Sequence, residues 1–504
     1  MKISRTAFAG YFCVALLLGF AMVSRDSLWI DEGQTLRFAD QPSLTAWFDE
    51  LRHNRKSEAQ MPLGMLSAWI GARIFGTNEW GLRAPNILWV ALTGLAFALL
   101  GRRIQQRGLF WFLLASPFLW YYANEARPYA MLICSGAWLL YFLIRLQLEA
   151  EISSSAVAGL CITSVAGFAT HALFAFVVFG VTLAAIPAVF RSRHTITRQH
   201  MLVFAATTLG LIALAGYYAW TLQRGASGAK LWSVGPHNIV FSMYELLGFG
   251  GLGPPRNTMR DLGRQPAALL ESFLALKNLG AIVLAAIYAV LVAYAIRLRH
   301  DKLMRAALMV MLGGGAALLA AAIVVRFPFW GRHAAGLLPF ALFMGWRAAT
   351  LGPRGIARVL IISLLFATLI FSSARQRFLP EYGKDDYQLA ANLATRASQQ
   401  NLLVWWSADL ELAPYYHVAL STENSTRGVR LILYPSASDL AVLSAADVVI
   451  QGKPDIYDSR GELARFLADQ RYQPVARAPG FVFWARPGST ASSAVILSAA
   501  GERK

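Results

Sequence analysis

Long apolar runs separated by short polar or basic segments fill most of the chain before residue 374. A helix needs about 20 mainly apolar residues to cross the hydrocarbon core of a bilayer. The pattern predicts about eleven such helices, several of them short, at residues 7–23, 85–100, 109–122, 128–144, 156–170, 172–190, 201–220, 279–296, 306–325, 334–346 and 356–373. As a helix, residues 61–75 would reach only about 22 Å. We therefore expect that segment to dip into the membrane or to lie along it.

The pattern changes after residue 380, where no apolar stretch is long enough to span a membrane. Helical and strand-like patterns alternate there, as in an α/β domain. They predict helices at 387–397 and 462–470, and strands at 402–406, 431–434, 448–450 and 481–484. The sequence thus predicts an all-α polytopic membrane domain with outer-face loops over residues 1–374 and a soluble α/β domain over residues 375–504.

A short amphipathic helix is predicted between the first two spans. Its apolar residues are spaced at i, i+3, i+4 and i+7, namely Leu44, Trp47, Phe48 and Leu51. Such a face suits a helix that lies on the outer surface of the membrane. It suits equally a short helix that packs on its own protein, and the sequence leaves both interpretations open.

Composition agrees with a polytopic membrane protein. The 504 residues are 56% hydrophobic and only 15% charged, and the mean hydropathy is +0.46. All three cysteines lie inside apolar runs, which excludes a disulfide scaffold or a cysteine-rich metal site. Lys2 and Arg5 precede the first apolar run as in a signal peptide, but no small-x-small cleavage site follows. We expect a retained first helix with a cytoplasmic N-terminus.

The net charge of +18 is distributed unevenly. Residues 375–504 carry 14 Lys and Arg against 13 Asp and Glu, so the excess belongs to the membrane domain. Cytoplasmic loops explain part of it, but loops predicted on the outer side also carry Arg25, Arg37, Arg83, Arg127, Arg224, Lys230, Arg256, Arg260, Arg264, Arg326 and Arg332. Short outer loops normally avoid positive charge. An anionic ligand would account for these residues, and anionic lipid headgroups are the alternative.

Candidate chemistry lies at the predicted outer edge of the membrane. Asp31 and Glu32 follow the first helix, where ionised groups are costly unless they have a partner or a function. A helix stop or a cap on the next turn is the other interpretation. Arg127 and Arg332 each precede an inward helix and are framed by aromatic residues. A carboxylate can accept a proton and guanidinium groups can hold a departing phosphate, so these residues would make a plausible site if they converge.

Ordered segments between residues 28 and 340 also carry a family resemblance. They are the Asp31-Glu32 pair, Met61-Pro62-Leu63, the run FGTNEWGLRAP at 75–85, Glu125-Ala126-Arg127-Pro128-Tyr129, and Arg332-His333 with Leu338-Pro339. In this order they resemble motifs of the GT-C fold membrane glycosyltransferases that use polyprenyl-phosphate sugars. That group includes the family 39 glycosyltransferases, the protein O-mannosyltransferases and the lipid A aminoarabinose transferases.

The resemblance implies a reaction and roles for residues. An acceptor attacks the anomeric carbon of a sugar on a polyprenyl monophosphate, with inversion. Asp31 would act as the general base or orient the acceptor, and Glu32 would position a neighbour. The implied substrate-binding residues are Arg83, Arg127, Tyr129, Arg332 and His333, of which Tyr129 and His333 could instead pack at the interface. The aminoarabinose transferases have a Glu-Lys pair before two prolines, where this chain has Gln60-Met61 and a single proline, so its arginines would have to bind the phosphate.

The implied partners are a polyprenyl-phosphate-linked sugar donor, a glycolipid, glycan or protein acceptor, and membrane lipids, with no nucleic acid. No cofactor is expected, and a divalent metal is left open. The implied location is the bacterial inner membrane, with the C-terminal domain extracytoplasmic. Three alternatives are a related GT-C protein that polymerises or ligates a glycan, a transporter or flippase of lipid-linked sugars, and a membrane anchor for the C-terminal domain. Transporters commonly show internal repeats and charges near the bilayer midplane, whereas this chain has no clear repeat and places its charges at the edge.

Overall fold

A computed structural model describes residues 5–225, 234–262, 265–327, 329–423 and 426–488. Lys230 and Arg264, two of the predicted outer-face cations, lie outside these residues. The chain forms two units: the first contains the chain up to Ser24 and Thr35–Leu379, and the second contains Arg25–Gln34 and the chain from Pro380 onward. The second unit therefore includes a short segment from the predicted membrane domain, which the sequence boundary at residue 374 did not indicate.

The helices that precede Leu379 are α1 Arg5–Met22, α2 Ile30–Ala39, α3 Leu44–His53, α4 Pro62–Phe75, α5 Glu79–Arg83, α6 Pro85–Arg103, α7 Gly108–Leu114, α8 Pro117–Ala123, α9 Tyr129–Leu148, α10 Ser154–Thr170, α11 Phe174–Arg191, α12 Arg198–Gln223, α13 Pro236–Leu246, α14 Arg256–Leu262, α15 Pro266–Leu274, α16 Leu279–Arg297, α17 Lys302–Val325, α18 Leu338–Leu351 and α19 Gly355–Phe378. Short 3₁₀ helices cover Ser57–Gln60, Arg193–Thr195, Phe249–Gly251, Leu276–Asn278 and Gly331–Leu337.

Eight helices in the described part of the chain are long and apolar enough to cross a membrane. They are Glu79–Arg103, Tyr129–Leu148, Phe174–Arg191, Arg198–Gln223, Leu276–Arg297, Lys302–Val325, Gly331–Leu351 and Gly355–Phe378. The first of these joins α5 to α6, and Leu276–Arg297 and Gly331–Leu351 each join a 3₁₀ helix to the α-helix that follows it. Two further predicted spans form shorter apolar helices, Phe8–Met22 and Ser154–Thr170. The predicted span at 109–122 is instead two helices of seven residues, because Pro117 begins a new helix after Ser116. The count of eleven spans stays a prediction.

Close backbone packing places the turn before α9 against α4. A Cβ atom on Gly64 would lie 2.5 Å from Pro128 Cβ, and one on Gly71 would lie 2.2 Å from Pro85 Cγ. Helix α9 is buried along most of its length, and a Cβ atom on Gly136 would lie 2.3 Å from the carbonyl oxygen of Gly336. These contacts can form only where a side chain is absent. They bring α4 and the Gly331–Leu337 segment against α9.

The amphipathic helix predicted near residue 44 is present as α3. Trp47 and Leu51 are buried in a cluster with Phe38, whereas Leu44 and Phe48 are exposed. Half of the apolar face thus packs on its own protein, and the other half is available to a membrane surface.

The second unit contains helices α20 Tyr387–Gln399, α21 Leu412–Tyr415, α22 Ala437–Val442, α23 Pro454–Tyr457 and α24 Glu462–Asp469, a 3₁₀ helix at Pro380–Tyr382, and strands β1 Leu403–Ser407, β2 Leu420–Ser421, β3 Gly428–Leu431, β4 Val448–Gly452, β5 Gln473–Ala478 and β6 Phe481–Ala485. The strand order is β2-β3-β1-β4-β6-β5. The β2–β3, β3–β1 and β1–β4 pairs are parallel, and β6 runs antiparallel to β4 and β5.

The centre of this sheet is buried on both faces. Every residue of β1 and β4 is buried. Trp405 and Trp406 are consecutive in β1 and therefore point to opposite faces of the sheet, and both are fully buried, so both faces are covered. The prediction of an all-α membrane domain followed by an α/β domain is confirmed. The predicted strand at 431–434 lies earlier, at Gly428–Leu431, and β2 and β5 were missed because they are short or largely exposed.

Candidate functional site

Arg127 lies in the tight turn between α8 and α9 and is held by a buried carboxylate. Its Nη1 donates to Glu58 Oε1 at 2.9 Å, and both side chains are 3% exposed. The same nitrogen lies 3.3 Å from Thr35 Oγ1. A buried charge without a partner is strongly unfavourable. Glu58 therefore both neutralises and orients the guanidinium.

A small pocket, part of it open to the exterior, borders Arg127. Thr35 and Asn86 add further polar groups to its wall, while Leu82, Trp89 and others make the remainder mainly apolar. A cation beside an apolar wall suits an amphiphile with an anionic head. The sequence could not predict this pocket, because its walls come from α2, α4, α5, α6 and α9.

His171 occupies the turn between α10 and α11 and is buried. The next residue, Ala172, donates its N–H to the carbonyl of Gln60 at 3.0 Å, which ties this turn to the 3₁₀ helix that carries Glu58. Burial, together with the nearby charges of Arg127 and Arg332, lowers the pKa of His171 to about 3. The structure thus brings both arginines into the surroundings of one neutral imidazole.

The hydrogen bonds of His171 define its tautomer. Nδ1 accepts from the backbone N–H of Leu173 at 3.1 Å. The proton of the neutral ring is therefore assigned to Nε2. At neutral pH His171 is therefore an uncharged hydrogen-bond donor, and the charges of Arg127 and Arg332 favour its neutral form.

Arg332 belongs to the Gly331–Leu337 segment, which Glu245 of α13 holds from the other side. Glu245 Oε2 accepts from the Gly331 N–H at 3.1 Å, and its Oε1 lies 2.8 Å from Arg256 Nη2. The Arg256 guanidinium also lies over the ring of Tyr121, 4.7 Å from its centroid. Burial raises the pKa of Glu245, while the charges of Arg256 and Arg332 oppose that rise. A buried carboxylate that is paired with Arg256 thus fixes the backbone beside Arg332.

Arg83 is enclosed by the protein itself. Its side chain is fully buried, and Nη1 donates to the Ser24 carbonyl at 3.3 Å. The Ser24 hydroxyl in turn donates to Asn124 Oδ1 at 3.0 Å. These contacts connect Arg83 with the chain that leads into the Arg127 turn. A substrate contact for Arg83 stays a prediction.

Tyr129 and His333 both make packing contacts. Tyr129 is buried and packs edge-on against Tyr122, with ring centroids 5.2 Å apart. His333 is half-buried, and its Nδ1 accepts from the Trp330 N–H at 3.1 Å, which caps the Gly331–Leu337 helix. Its ring lies edge-on to Phe327. The predicted substrate contacts of both residues stay predictions.

Asp31 and Glu32 lie in the first turn of α2, in the segment that belongs to the second unit. Glu32 is fully buried, and its Oε2 accepts from the Trp29 N–H at 3.2 Å. This is the N-terminal cap that the sequence left open as the simpler interpretation. Asp31 is half-buried in the same turn. Its convergence with the arginines of the first unit stays a prediction.

Sequence reasoning did not name Glu58, His171 or Glu245. Glu58 stands two residues before Gln60, close to where the aminoarabinose transferases have an acidic residue, and this was the available signal. His171 is a polar residue between two apolar helices, which could also have been a packed histidine. Among the described residues, no group of three or more His, Cys, Asp or Glu side chains could hold a metal ion.

No protein-family model matches the chain, and no curated protein matches it significantly. Among solved structures it is similar to ArnT from Cupriavidus metallidurans bound to undecaprenyl phosphate, with 14% identity, a TM-score of 0.46 and coverage of 96% of this chain and 99% of that one. It is also similar to the archaeal oligosaccharyltransferase AglB from Archaeoglobus fulgidus in complex with an inhibitory peptide and a dolichol-phosphate, with 10% identity, a TM-score of 0.46 and coverage of 95% and 74%.

These two structures thus contain lipid phosphates, undecaprenyl phosphate in ArnT and a dolichol-phosphate in AglB. At this identity and TM-score the likeness by itself does not establish a function for this chain.

Proposed function

We propose that this protein transfers a sugar from a polyprenyl-phosphate donor to an acceptor on a glycolipid, a glycan or a protein, with inversion at the anomeric carbon. One observation carries the proposal. A pocket with mainly apolar walls borders Arg127, whose buried guanidinium is held by Glu58. The charges of Arg127 and Arg332 also both lower the pKa of the buried His171. The pocket marks where the head of an anionic lipid would approach Arg127.

In the proposed reaction, one bond forms at the anomeric carbon as another breaks. The acceptor hydroxyl transfers its proton to the Asp31 carboxylate, and its oxygen forms a bond with the anomeric carbon. The bond from that carbon to the phosphate oxygen breaks, and the polyprenyl phosphate leaves with the electron pair. Arg127 and Arg332 stabilise the added negative charge as it develops. The Nε2–H of His171 donates to a phosphate oxygen, and because the ring is neutral it adds no further cation to the site.

Direct assay of sugar transfer tests this proposal. Surface glycolipids and glycoproteins, compared by mass spectrometry in cells with and without the gene, would identify the sugar and the acceptor. The purified protein in nanodiscs would then receive the matching short-chain polyprenyl-phosphate sugar and acceptor. We expect glycosylated acceptor and free polyprenyl phosphate in equal amounts. Movement of intact lipid-linked sugar between leaflets, without cleavage, would instead establish the transporter alternative.

We further propose that the second unit lies outside the cytoplasm, at the outer face of the bacterial inner membrane. Arg25–Gln34 and the chain from Pro380 onward pack as one unit, which supports their location on one side of the membrane. The helix α1 would then return the N-terminus to the cytoplasm. Reporter fusions after Arg103 and after Ser373 should report opposite sides, the first cytoplasmic. Equal labelling of the two sites would refute this topology.

A further inference from the structure

The carboxyl ends of parallel strands are the usual ligand-binding edge of an α/β domain. In the second unit this edge belongs to β3, β1 and β4. The chain leaves β1 into the segment that contains Tyr416, and it leaves β4 directly into Lys453. The protein's own Arg25–Gln34 segment, which bears the acidic pair, contacts these two places.

Hydrogen bonds with residues of the C-terminal chain hold that segment. The Tyr416 hydroxyl accepts from the Leu28 N–H at 2.7 Å, and the Gln388 N–H donates to Ser27 Oγ at 3.0 Å. Leu28 is fully buried. Gly33 follows Glu32 directly, and a Cβ atom there would lie 3.0 Å from the side chain of Leu412. The segment is thus held on both sides of Asp31.

Lys453 adds a buried charge to the same edge, and its backbone conformation is strained. Its φ is 40°, in the left-handed region, although it is not glycine. Its Nζ lies 2.5 Å from Asp385 Oδ2 and 4.9 Å from the centroid of the Trp29 ring, and the residue is 8% exposed. Such a conformation persists only where the surroundings enforce it, and it is common at functional sites.

We propose that the C-terminal domain positions the acidic motif. Tyr416, Gln388 and Lys453, here called the strand-edge clamp, hold Arg25–Gln34 and so fix the direction of the Asp31 carboxylate. Tyr416 and Lys453 are then positioning residues. The proposal rests on the proposed function of Asp31 as base. It also explains why the ligand edge of this α/β domain is covered by the chain itself.

Tyr416→Phe is the sharpest test, because it removes one hydroxyl and little volume. Tyr434→Phe is the matched control, since Tyr434 lies in the same unit and is mostly exposed. Tyr416→Phe removes the hydrogen bonds that the hydroxyl accepts from the Leu28 N–H and from Ser27 Oγ. We expect amide exchange within residues 25–34 to accelerate about three- to tenfold as a result. We expect kcat to fall by a similar factor, with the KM for the donor lipid unchanged and no effect of Tyr434→Phe.

A second pair of variants addresses the charge. Lys453→Met should lower kcat and Lys453→Arg should restore it in part, because arginine also pairs with Asp385 and stacks on Trp29. Arg471→Met is the control, since Arg471 is another cation at a positive φ in this unit.

Two readouts separate the inference from the proposed function. Unchanged amide exchange in Tyr416→Phe would refute the clamp itself. Faster exchange with unchanged kcat, in a protein where Asp31→Asn is inactive, would refute the positioning role. If Asp31→Asn is fully active, the proposed role of Asp31 fails, and the exchange experiment still decides whether the clamp exists.

Discussion

The cation-rich region of the first unit and the acidic-motif segment of the second unit are stabilised in different ways. Around Arg127 and Arg332, charge is balanced by buried carboxylates from distant parts of the chain, Glu58 and Glu245. Around Asp31, the chain is fixed by hydrogen bonds of the Leu28 and Trp29 N–H groups and of the Ser27 hydroxyl. The first arrangement orients charges, and the second orients a turn of helix.

This difference predicts different responses to substitution. Breaking a buried ion pair leaves one charge without compensation and typically costs about 3–5 kcal/mol. Loss of one backbone hydrogen bond costs about 1 kcal/mol. Variants at Glu58 or Glu245 should therefore impair folding as well as activity. Variants around Asp31 should change activity in a protein that remains folded, and they are the cleaner probes.

The largest effect is expected for Asp31→Asn. Asparagine keeps the shape of the side chain but does not accept the proton, so turnover should fall by about 10²- to 10⁴-fold. The turnover of Glu32→Gln should fall less than tenfold, because the glutamine oxygen can still accept from the Trp29 N–H. Steady-state kinetics and melting temperatures of both variants test this contrast. A folded Glu32→Gln that is less active than Asp31→Asn would reverse the two roles.

The fold class and the positions of the candidate arginines could be predicted from the sequence, because apolar runs and charges at their ends are local sequence features. The partners of those charges could not. Glu58 is distant in sequence from Arg127, and Glu245 from Gly331, and these pairs depend on how helix ends meet. Ser116-Pro117 did contain the signal for a broken helix, although the apolar run around it favoured a single span.

Substitution of the two arginines should give the next largest effect. Hydrogen bonds to charged groups are worth about 1.5–3 kcal/mol, so Arg127→Ala and Arg332→Ala should each lower kcat/KM by about ten- to a hundredfold. Arg127→Ala also leaves the buried Glu58 carboxylate without its partner, so we expect it to lower the stability of the fold as well. Arg→Lys should also impair the enzyme, because the planar fork is lost. Arg224→Ala is the control, as it removes a predicted outer-face cation that stacks on Trp220. Binding of polyprenyl phosphate to both alanine variants with wild-type affinity would show that the two arginines are structural.

The smallest effect, and the one that best distinguishes a neutral donor from a cation, concerns His171. Its pKa is about 3 in the folded protein against 6.5 for the free side chain, so only the unfolded state binds a proton between these values. The stability that this imidazole contributes is therefore complete above pH 6.5 and is lost as the pH falls, by up to about 2 kcal/mol at pH 5. His171→Gln has no such group, and its melting temperature should fall less than that of the wild type between pH 7.5 and 5. Its kcat/KM should be lower by about three- to tenfold, as for one hydrogen bond, with no change in the shape of the pH profile between pH 5.5 and 8. Equal pH dependence of melting in both proteins, or a limb near pH 6.5 that disappears in the variant, would show that His171 carries a proton in the native state and acts as a third cation.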